Sequence, residues 1–379
     1  MAEVHGFCDE RFQALEDKFR HNISTGIDLG GSLAATLDGE FVVDLWGGYR
    51  DRERTRPWEQ DILSFVFSTS KAMVIIATLM MVDRGLLDLD APIAQYWPAF
   101  ASNGKGAMTN RQVLVHRSGL PGFGQQIAWD QTHDWQHMIG VLEAAALWYE
   151  PGTISCYHPQ TFGFILGELV RRLSGMPFDE FFRTEIAAPL NAEFHFGLSD
   201  ARDQARVAEL IYPSTSMIMP SAMGERAFNE IEARDWVTPN RMAAVIPASS
   251  GLATAKGIAT IGAMMAMGGE LNGRRFMSTD IIDQATTEQS YAEDEVLGWC
   301  RYGLGFGLDS AEFPGPTPTS FHWGGFGGSF ITMDRTPRIS CGFVPNRLLL
   351  DDSEKVTRPG NDRLFDLWQS LGEISRSLA

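Results

Sequence analysis

The amino-acid sequence predicts a mixed α+β fold in which both ends of the chain contribute strands to one antiparallel sheet. Near the N-terminus, "GGSLAATLDGEFVVDLWGGYRD" is typical of two strands joined at Asp38-Gly39, a dipeptide common in tight hairpins. Near the C-terminus, "SFITMDRTPRISCGFVP" indicates two more strands around a turn at 334–337. Helical patterns dominate the stretch between them. We therefore expect one sheet with flanking helices and a mostly helical inserted region.

The helices are predicted from apolar periodicity and from the residues that end them, such as Arg84-Gly85. We expect helices over residues 10–22, 69–84, 161–174, 178–187, 254–268 and 361–378. Residues 1–85 together with 251–379 are assigned to an α/β sheet domain, and residues 86–250 to a mostly helical insert domain. Because pockets tend to form where two such parts meet, the active site is expected between them.

Composition restricts the class of protein. The chain has 379 residues, and its apolar fraction of 44% is sufficient for a sizeable core. Its formal net charge of −17 disfavours nucleic acid and anionic membranes as partners, since both need clustered Lys and Arg. The apolar window 62–82 is long enough to cross a bilayer, but Lys71 near its middle favours a buried helix instead.

The four cysteines are far apart and form neither a C-x-x-C pair nor a zinc-type cluster with histidine. We therefore expect free thiols, no metal and no organic cofactor. The N-terminal stretch "MAEVHGFCDERFQALEDKF" mixes acidic residues throughout and lacks the apolar segment of a signal peptide. A cytoplasmic location is expected. The oligomeric state stays open, with a homodimer among the options.

One short motif carries the chemistry. In "SFVFSTSKAMVIIATLMMV", Ser68 and Lys71 form an S-x-x-K pattern that opens an apolar helix, so both side chains share one helix face. At the helix N-terminus, free N–H groups favour developing negative charge near Ser68. Burial would lower the pKa of Lys71 and let it take a proton from the serine hydroxyl.

The S-x-x-K pattern alone is not decisive, because a helix cap with a snorkelling lysine would look the same. A second match, Ser102 to Lys105 in "FASNGKGAM", lies in a turn-rich loop without an apolar helix after it. We interpret that second match as chance.

Further stretches make the chain resemble the serine β-lactamase and penicillin-binding protein superfamily. Within it, the chain resembles most closely the class C β-lactamase-like carboxylesterases known as family VIII esterases. The resemblance covers nearly the whole chain and implies an α/β sandwich of the β-lactamase/transpeptidase type. It rests on "VDLWGGYRD" at 43–51, "STSK" at 68–71, "LVHRSGLPG" at 114–122, "PGTISCYHPQTFGFILGELVRRLSG" at 151–175, "GLGFGL" at 303–308 and "HWGGFGGSF" at 322–330.

The resemblance assigns the catalytic roles. Ser68 is the acyl-accepting nucleophile and Lys71 its base partner. Tyr157, which follows Ser68 by 89 positions, helps to activate the serine and the attacking water or protonates the leaving alkoxide. A buried phenol near an ammonium is expected to have a lowered pKa, which would suit that role.

The third family element is matched by "WGG", and Trp323 follows Ser68 by 255 positions. This match places the N–H of Phe326 opposite that of Ser68 as an oxyanion hole. Trp323, Gly324 and Gly325 would border the substrate, since glycines let a ligand approach the backbone closely. His158, beside the catalytic tyrosine, lines the pocket or packs in the core. His116 is expected to be structural.

Two departures from the β-lactamase pattern point to the substrate. Where those enzymes carry Tyr-x-Asn, this chain has Tyr157-His158-Pro159, and where they carry Lys-Thr-Gly it has Trp323-Gly324-Gly325. The amide and the cation that would recognise a β-lactam are both missing. The substrate implied is a small, neutral, rather apolar acyl ester.

The function predicted is that of a serine carboxylesterase acting through an acyl-enzyme on Ser68. Three alternatives stay open: an acyltransferase that uses the same intermediate, a β-lactamase or D-Ala-D-Ala peptidase-like hydrolase, and a non-catalytic protein that has kept the fold. No G-x-S-x-G pentapeptide occurs, so the sequence does not support an α/β-hydrolase nucleophile elbow.

Overall fold

The computed structural model of the chain describes residues 3–212, 219, 221–229, 236–349 and 362–378. Parts of the predicted insert, at 213–218, 220 and 230–235, lie outside the described residues, as does position 361, where the last helix was expected to begin.

Fourteen strands lie in the described ranges. In chain order they are β1 Val4–Cys8, β2 Gly30–Leu37, β3 Glu40–Gly48, β4 Ser64–Phe65, β5 Phe194–His195, β6 Leu252–Ala253, β7 Glu270–Leu271, β8 Arg274–Arg275, β9 Ser290–Asp294, β10 Gly298–Tyr302, β11 Gly307–Leu308, β12 Phe321–Gly324, β13 Phe330–Asp334 and β14 Ile339–Pro345.

The α-helices of the described residues vary from one turn to 17 residues. They are α1 Gln13–Thr25, α2 Ser70–Asp83, α3 Asn110–Leu114, α4 Trp135–Ala144, α5 Thr161–Ser174, α6 Phe178–Phe182, α7 Ala188–Leu190, α8 Ala201–Gln204, α9 Ala222–Asn229, α10 Pro239–Ala243, α11 Ala255–Ala266, α12 Thr279–Thr286 and α13 Asp362–Leu378.

The central element is a nine-stranded antiparallel sheet in the order β1-β3-β2-β14-β13-β12-β11-β10-β9. The two ends of the chain meet where β2 pairs with β14, with Ala34 opposite Gly342. The β2–β3 turn has left-handed φ angles at Asp38 (53°) and Gly39 (84°), the conformation that Asp-Gly adopts readily. The sheet built from both ends is therefore confirmed.

Helices cover both faces of this sheet. On one face lies α11, and it approaches β14 closely because Gly342 has no side chain: a Cβ there would lie 2.8 Å from the Ala255 carbonyl oxygen. On the other face α1 and α13 bury an apolar cluster that includes Phe19, Phe343 and Trp368. The α+β class and the β-lactamase-like arrangement follow from these layers.

The helical region packs beside the sheet around α2 and α5. Helix α2 is enclosed by α5, α12 and strand β12, and its residues Ser70 to Met81 are all buried. A helix in this position needs no polar face toward solvent, which explains why the sequence of α2 is mostly apolar on all sides. The predicted helix at 178–187 is observed as α6 followed by a π-helical turn, Arg183–Ala187, that leads into α7.

Strand β5 belongs to the part of the chain assigned to the insert, yet it pairs with β6 in a small three-stranded sheet with β4. At its centre Ala253 lies opposite both Ser64 and Phe194. The division into two domains stays a prediction. Within the described ranges, no helix combines the length and the apolar character that a membrane span requires.

Candidate active site

Ser68 lies in a single 3₁₀ turn, Phe67–Thr69, that leads directly into α2. From Ile62 to Met81, all of which is described, it is the only residue that keeps partial exposure. The residue before it, Phe67, has a φ of 45°, a left-handed conformation that is uncommon for a bulky side chain. Such outliers are concentrated at functional sites, because the surrounding structure must hold them in place.

The amine of Lys71 is fully buried and points at this serine. Its Nζ lies 3.2 Å from Ser68 Oγ, 2.8 Å from the carbonyl oxygen of Pro159 and 3.1 Å from that of Ala248. Burial holds the pKa of Lys71 well below its usual value. A neutral amine has two N–H groups and one lone pair. If the two carbonyls accept the N–H groups, the lone pair faces the serine hydroxyl.

Tyr157 completes the group around the nucleophile. Its hydroxyl donates to Ser68 Oγ at 2.7 Å, and its ring lies under the Lys71 amine, 4.8 Å from Nζ to the ring centroid. The expected lowering of the Tyr157 pKa is wrong. Burial raises this pKa, and the hydrogen bond to Ser68 opposes the rise only in part. The phenol of Tyr157 therefore keeps its proton at neutral pH.

A buried carboxylate that the sequence did not reveal fixes the backbone of the tyrosine. Asp294 accepts hydrogen bonds from the N–H of Tyr157 at 3.0 Å and from the hydroxyl of Ser155 at 2.8 Å. It also accepts from the N–H groups of Val296 and Leu297. Burial raises the pKa of Asp294. Because it is the middle one of three consecutive acidic residues in "YAEDEV", no motif or spacing distinguishes it from its neighbours.

The turn between β12 and β13 closes the other side of the serine. Its Ser329 hydroxyl donates to the carbonyl of Val66 at 2.8 Å and lies 2.9 Å from Thr69 Oγ1. Glycine at 325 is needed because a Cβ there would lie 2.1 Å from the Val66 carbonyl oxygen. The close approach is thus made by the chain itself, a different reason from the predicted approach of a ligand.

The oxyanion donors predicted from the sequence lie in these two segments. Phe326 occupies the β12–β13 turn, and its ring centroid lies 5.6 Å from that of Phe67. Its N–H has no acceptor among the described residues. Ser68 is at the start of a helical turn, where N–H groups lack intrahelical partners. The role of the two N–H groups stays a prediction.

Trp323 lies behind the tyrosine. Its indole is only 5% exposed and stacks on the Tyr157 ring with centroids 6.2 Å apart. The observed contact is therefore with Tyr157, and a contact of the indole with substrate stays a prediction. Gly324 is part-exposed at the end of β12, with no close atom that would exclude a side chain.

His158 and His116 belong to the buried layer under the site. The ring nitrogens of His158 pair with Ser118 Oγ at 2.5 Å and with the Cys156 carbonyl at 2.6 Å. Because His158 has no exposed surface, the predicted substrate contact is corrected to a packing role. His116 is also fully buried and accepts from the His158 N–H through Nδ1 at 3.2 Å. Burial lowers the pKa of both histidines, to about 3 for His158.

Aromatic side chains border the nucleophile on two sides, and the sequence did not mark them. Phe67, beside Ser68, packs edge-on against Trp236 with ring centroids 4.9 Å apart. On the other side Phe228, from α9, stacks on Tyr157 at 6.1 Å. These positions are separated by long stretches of chain, so no local pattern connects them.

The second S-x-x-K match has a different environment. The Lys105 amine is buried and donates to the main-chain carbonyls of Ser102, Glu143 and Ala145. All of its hydrogen-bond partners are carbonyls, and none is a hydroxyl that it could deprotonate. This geometry supports the interpretation of the match as chance. The described part of the chain contains no group of His, Cys, Asp and Glu that could hold a metal ion.

Comparison with known proteins places this geometry in a family. A family model described as Beta-lactamase matches residues 19–361. Over 367 residues the chain is 34% identical to a Mycobacterium tuberculosis (strain ATCC 25618 / H37Rv) protein named esterase/beta-lactamase LipL, covering 91% of this chain and 83% of that protein.

Two solved structures are similar over almost the whole chain. A family VIII carboxylesterase has a TM-score of 0.86 and 33% identity, and a penicillin-binding protein homolog from Caulobacter crescentus has a TM-score of 0.89 and 32% identity. Each of the two alignments covers 98% of this chain and 100% of the solved chain. The resemblance deduced from the sequence is confirmed, and the chain belongs to the beta-lactamase family as a serine hydrolase of β-lactamase-like fold.

Proposed function

We propose that the protein is a serine carboxylesterase that hydrolyses small, neutral, rather apolar acyl esters through an acyl-enzyme on Ser68. One observation carries the proposal: the Ser68 hydroxyl lies between the buried Lys71 amine at 3.2 Å and the Tyr157 phenol at 2.7 Å. A nucleophile with a base and an acid in hydrogen-bond reach is the arrangement that acyl transfer requires.

In the acylation step Lys71 takes the Ser68 proton as the serine oxygen attacks the ester carbonyl. The N–H groups of Ser68 and Phe326 stabilise the oxyanion that forms. When the C–O bond of the ester breaks, Tyr157 gives its proton to the leaving alkoxide. The Lys71 ammonium reprotonates Tyr157, so the acyl-enzyme retains a neutral amine and a neutral phenol.

In the deacylation step a water molecule attacks the acyl carbonyl and gives its proton to Lys71. The second tetrahedral intermediate collapses, the bond to Ser68 Oγ breaks and the serine recovers its proton from Lys71. The raised pKa of Tyr157 supports this division of labour, because a phenol that keeps its proton acts as acid and the amine as base.

The substrate class is inferred from the surroundings of the serine. Phe67 packs with Trp236 beside the serine, and Phe228 stacks on Tyr157, so apolar rings surround the site. The basic group beside the serine, Lys71, already donates to two carbonyls. Similar proteins are named as an esterase/beta-lactamase and a carboxylesterase, which supports ester hydrolysis. We also predict a cytoplasmic location. The oligomeric state stays open, and a homodimer is one of the options.

Replacement of the nucleophile tests the proposal, and the chain offers a matched control. We expect Ser68→Ala to lower kcat/KM for a short-chain p-nitrophenyl ester by at least about 10³-fold, because the covalent intermediate is lost. Ser102→Ala, in the second S-x-x-K match, should retain wild-type rates. A fluorophosphonate probe should label the wild-type protein and not the Ser68→Ala variant. Retention of activity by Ser68→Ala would disprove the proposal.

A second candidate function is β-lactam hydrolysis, which the name of the 34% identical relative, esterase/beta-lactamase, favours. The same acyl-enzyme chemistry would apply, but the third element presents Trp323-Gly324-Gly325 instead of a lysine. Turnover of a chromogenic cephalosporin at a rate comparable with that of the ester would support this alternative. The acyltransferase alternative shares the intermediate, and partitioning of the acyl group between water and added alcohols separates the two.

A further inference from the structure

The β12–β13 turn, which carries the proposed oxyanion donor Phe326, has a backbone that needs external support. Gly327 and Gly328 have left-handed φ angles of 81° and 105°. Glycine residues lose more conformational freedom on ordering than other residues, so such a turn depends on the hydrogen bonds that hold it. Within the turn, Gly325 N–H donates to Ser329 at 2.8 Å and Gly328 N–H donates to Gly325 at 2.9 Å.

Ser329 connects one side of this turn to the segment around Ser68 through hydrogen bonds, and Arg363 holds the other side of the turn. Arg363 comes from the first turn of α13, and its side chain is 1% exposed. Through Nη2 it donates to the carbonyl of Gly327. Through Nη1 it donates to the Asp28 carboxylate, and at 3.1 Å to the carbonyl of Arg347.

The Gly327 carbonyl is held from two directions at once. Besides the guanidinium it accepts from the Leu349 N–H at 3.2 Å. The turn also packs closely against Leu348, since a Cβ on Gly327 would lie 2.5 Å from a methyl group of that residue. The peptide held in this way joins Gly327 to Gly328, and its N–H donates to the Gly325 carbonyl at 2.9 Å. That carbonyl belongs to the same peptide as the Phe326 N–H, so holding the Gly327 carbonyl also restricts rotation of the peptide that carries the Phe326 N–H.

The Asp28 carboxylate balances the charge of the buried Arg363 guanidinium that holds the turn. A buried guanidinium is costly unless it is paired and hydrogen-bonded, and the planar fork of arginine can serve a carboxylate and a carbonyl together. The carboxylate of Asp28 is itself fully buried, in the connection between α1 and β2. The ion pair thus connects the first helix, the last helix and the turn beside the nucleophile.

We propose that Arg363, oriented by Asp28, is a positioning residue that sets the direction of the Phe326 N–H for the oxyanion. This inference rests on the proposed function, because it assigns a purpose to the geometry of the same site. An alternative role is purely structural: the ion pair would hold α13 against the sheet without any effect on the reaction. The two roles differ in whether they alter the transition state or only the stability of the fold.

Three variants separate these roles. Arg363→Lys keeps the charge and loses the fork, and Asp28→Asn removes the partner charge. Leu367→Ala is the matched control, since Leu367 is buried on the same helix in the cluster with Phe19 and Trp368 and has no role in the turn. Each variant is titrated with a fluorophosphonate probe, so that rates refer to reactive sites. Single-turnover acylation by a p-nitrophenyl ester and inhibition by a trifluoromethyl ketone, which forms an oxyanion on the enzyme, are then measured.

We expect Arg363→Lys and Asp28→Asn to lower the acylation rate about 10- to 100-fold with KM changed less than about threefold, because the lost alignment matters only in the transition state. The trifluoromethyl ketone should lose affinity by a similar factor. Leu367→Ala should lower Tm and keep the acylation rate per site. Amide hydrogen exchange over 325–329 should accelerate in the first two variants only.

Wild-type acylation rates per site in Arg363→Lys and Asp28→Asn would overturn the inference, as would unchanged exchange at 325–329. Equal losses in all three variants would also overturn it, since the cause would then be destabilisation of α13. Failure of the proposed function gives a different result: the wild-type protein itself would leave the ester intact. The exchange measurement does not depend on turnover and still tests whether Arg363 holds the turn.

Discussion

At the nucleophile, three oxygen atoms surround the amine of Lys71, and only the hydroxyl of Ser68 can give up a proton. The two carbonyls, from Pro159 and Ala248, act as fixed acceptors that orient the amine. A buried amine with this environment is neutral over more of the pH range than an exposed lysine. The pH dependence of the reaction should therefore report on Lys71.

We expect kcat/KM to rise with pH as Lys71 loses its proton, with the midpoint well below the ordinary lysine value of about 10.4. Because burial raises the pKa of Tyr157, loss of the phenol proton should not lower activity below about pH 10. Lys71→Arg, which keeps the positive charge but cannot deprotonate, should lower kcat/KM by about 10³-fold or more.

Steady-state rates from pH 5 to 10, with a fluorophosphonate titration at each pH, check this prediction. The Lys71→Arg variant serves as its own control for folding, through its circular dichroism spectrum and Tm. A Lys71→Arg variant that retains a tenth of the wild-type rate, or one with the same acid limb as the wild type, would contradict the role of Lys71 as base.

At the scale of elements, the hairpin of β9 and β10 holds the backbone of Tyr157 through Asp294. The Asp294 carboxylate accepts hydrogen bonds from the N–H groups of Tyr157, Val296 and Leu297 and from the hydroxyl of Ser155. One oxygen accepts the three N–H groups and the other accepts only the Ser155 hydroxyl. An asparagine could satisfy all four, because the serine hydroxyl can turn and accept from the new amide.

Asp294→Asn should therefore retain activity within about threefold, whereas Asp294→Ala should lower the free energy of unfolding by about 2–4 kcal/mol and impair turnover, because several buried donors lose their acceptor. The two variants also differ in pH dependence. Since burial raises the pKa of Asp294, the folded wild type binds this proton more tightly than the unfolded chain.

The wild-type free energy of unfolding should therefore fall as pH rises from about 3.9 through the raised pKa of Asp294, and Asp294→Asn should lack this contribution. Urea unfolding of both variants and the wild type, at several pH values from 3 upward, measures the difference. Equal pH slopes in wild type and Asp294→Asn would argue against a buried, titrating carboxylate, and wild-type stability of Asp294→Ala would argue against the anchor.

Strong local signals made several elements predictable. The Asp38-Gly39 hairpin, the turn between β13 and β14, and the long helices α2, α5, α11 and α13 lie at or within a few residues of their predicted bounds. Strand β1 and the hairpin of β9 and β10 were missed. They lie at the edges of the sheet, are short, and mix polar or glycine residues with few apolar ones, so alternation is weak.

The same contrast holds within the site. Ser68, Lys71 and Tyr157 were found because motifs and their order carry them, and the structure brings the three together. Asp294 and Arg363 act through contacts between segments that are distant in the chain. Burial, not residue type, decides whether His158 touches a ligand, and burial is a property of the whole fold. The direction of the Tyr157 pKa was misjudged for the same reason, since desolvation exceeded the other effects.

At the scale of the whole molecule, the net charge of −17 predicts that anionic substrates reach the serine more slowly than neutral ones. A negative surface repels anionic ligands over a distance that salt controls, and the Debye length falls from about 30 Å at 0.01 M to about 8 Å at 0.15 M ionic strength. We expect kcat/KM for an ester with a free carboxylate to rise about two- to tenfold across this range.

A neutral ester of equal length should show no such dependence, and it is the control for general effects of salt. Initial rates of the two esters at a series of NaCl concentrations provide the measurement. A carboxylate ester that is turned over as fast as the neutral one at 0.01 M ionic strength would contradict both the electrostatic argument and the proposed preference for neutral substrates.

The environment of Lys71 has a consequence for the newly made chain. Its two carbonyl acceptors come from Pro159 and Ala248, so the amine is desolvated only after these distant segments have closed around it. Before that point Lys71 is an ordinary ammonium and Ser68 an ordinary alcohol. An incompletely folded molecule therefore does not form an acyl-enzyme with esters that it meets. We therefore expect Ser68 to become reactive only after these segments have packed, and the rate at which a fluorophosphonate labels Ser68 during refolding measures that step.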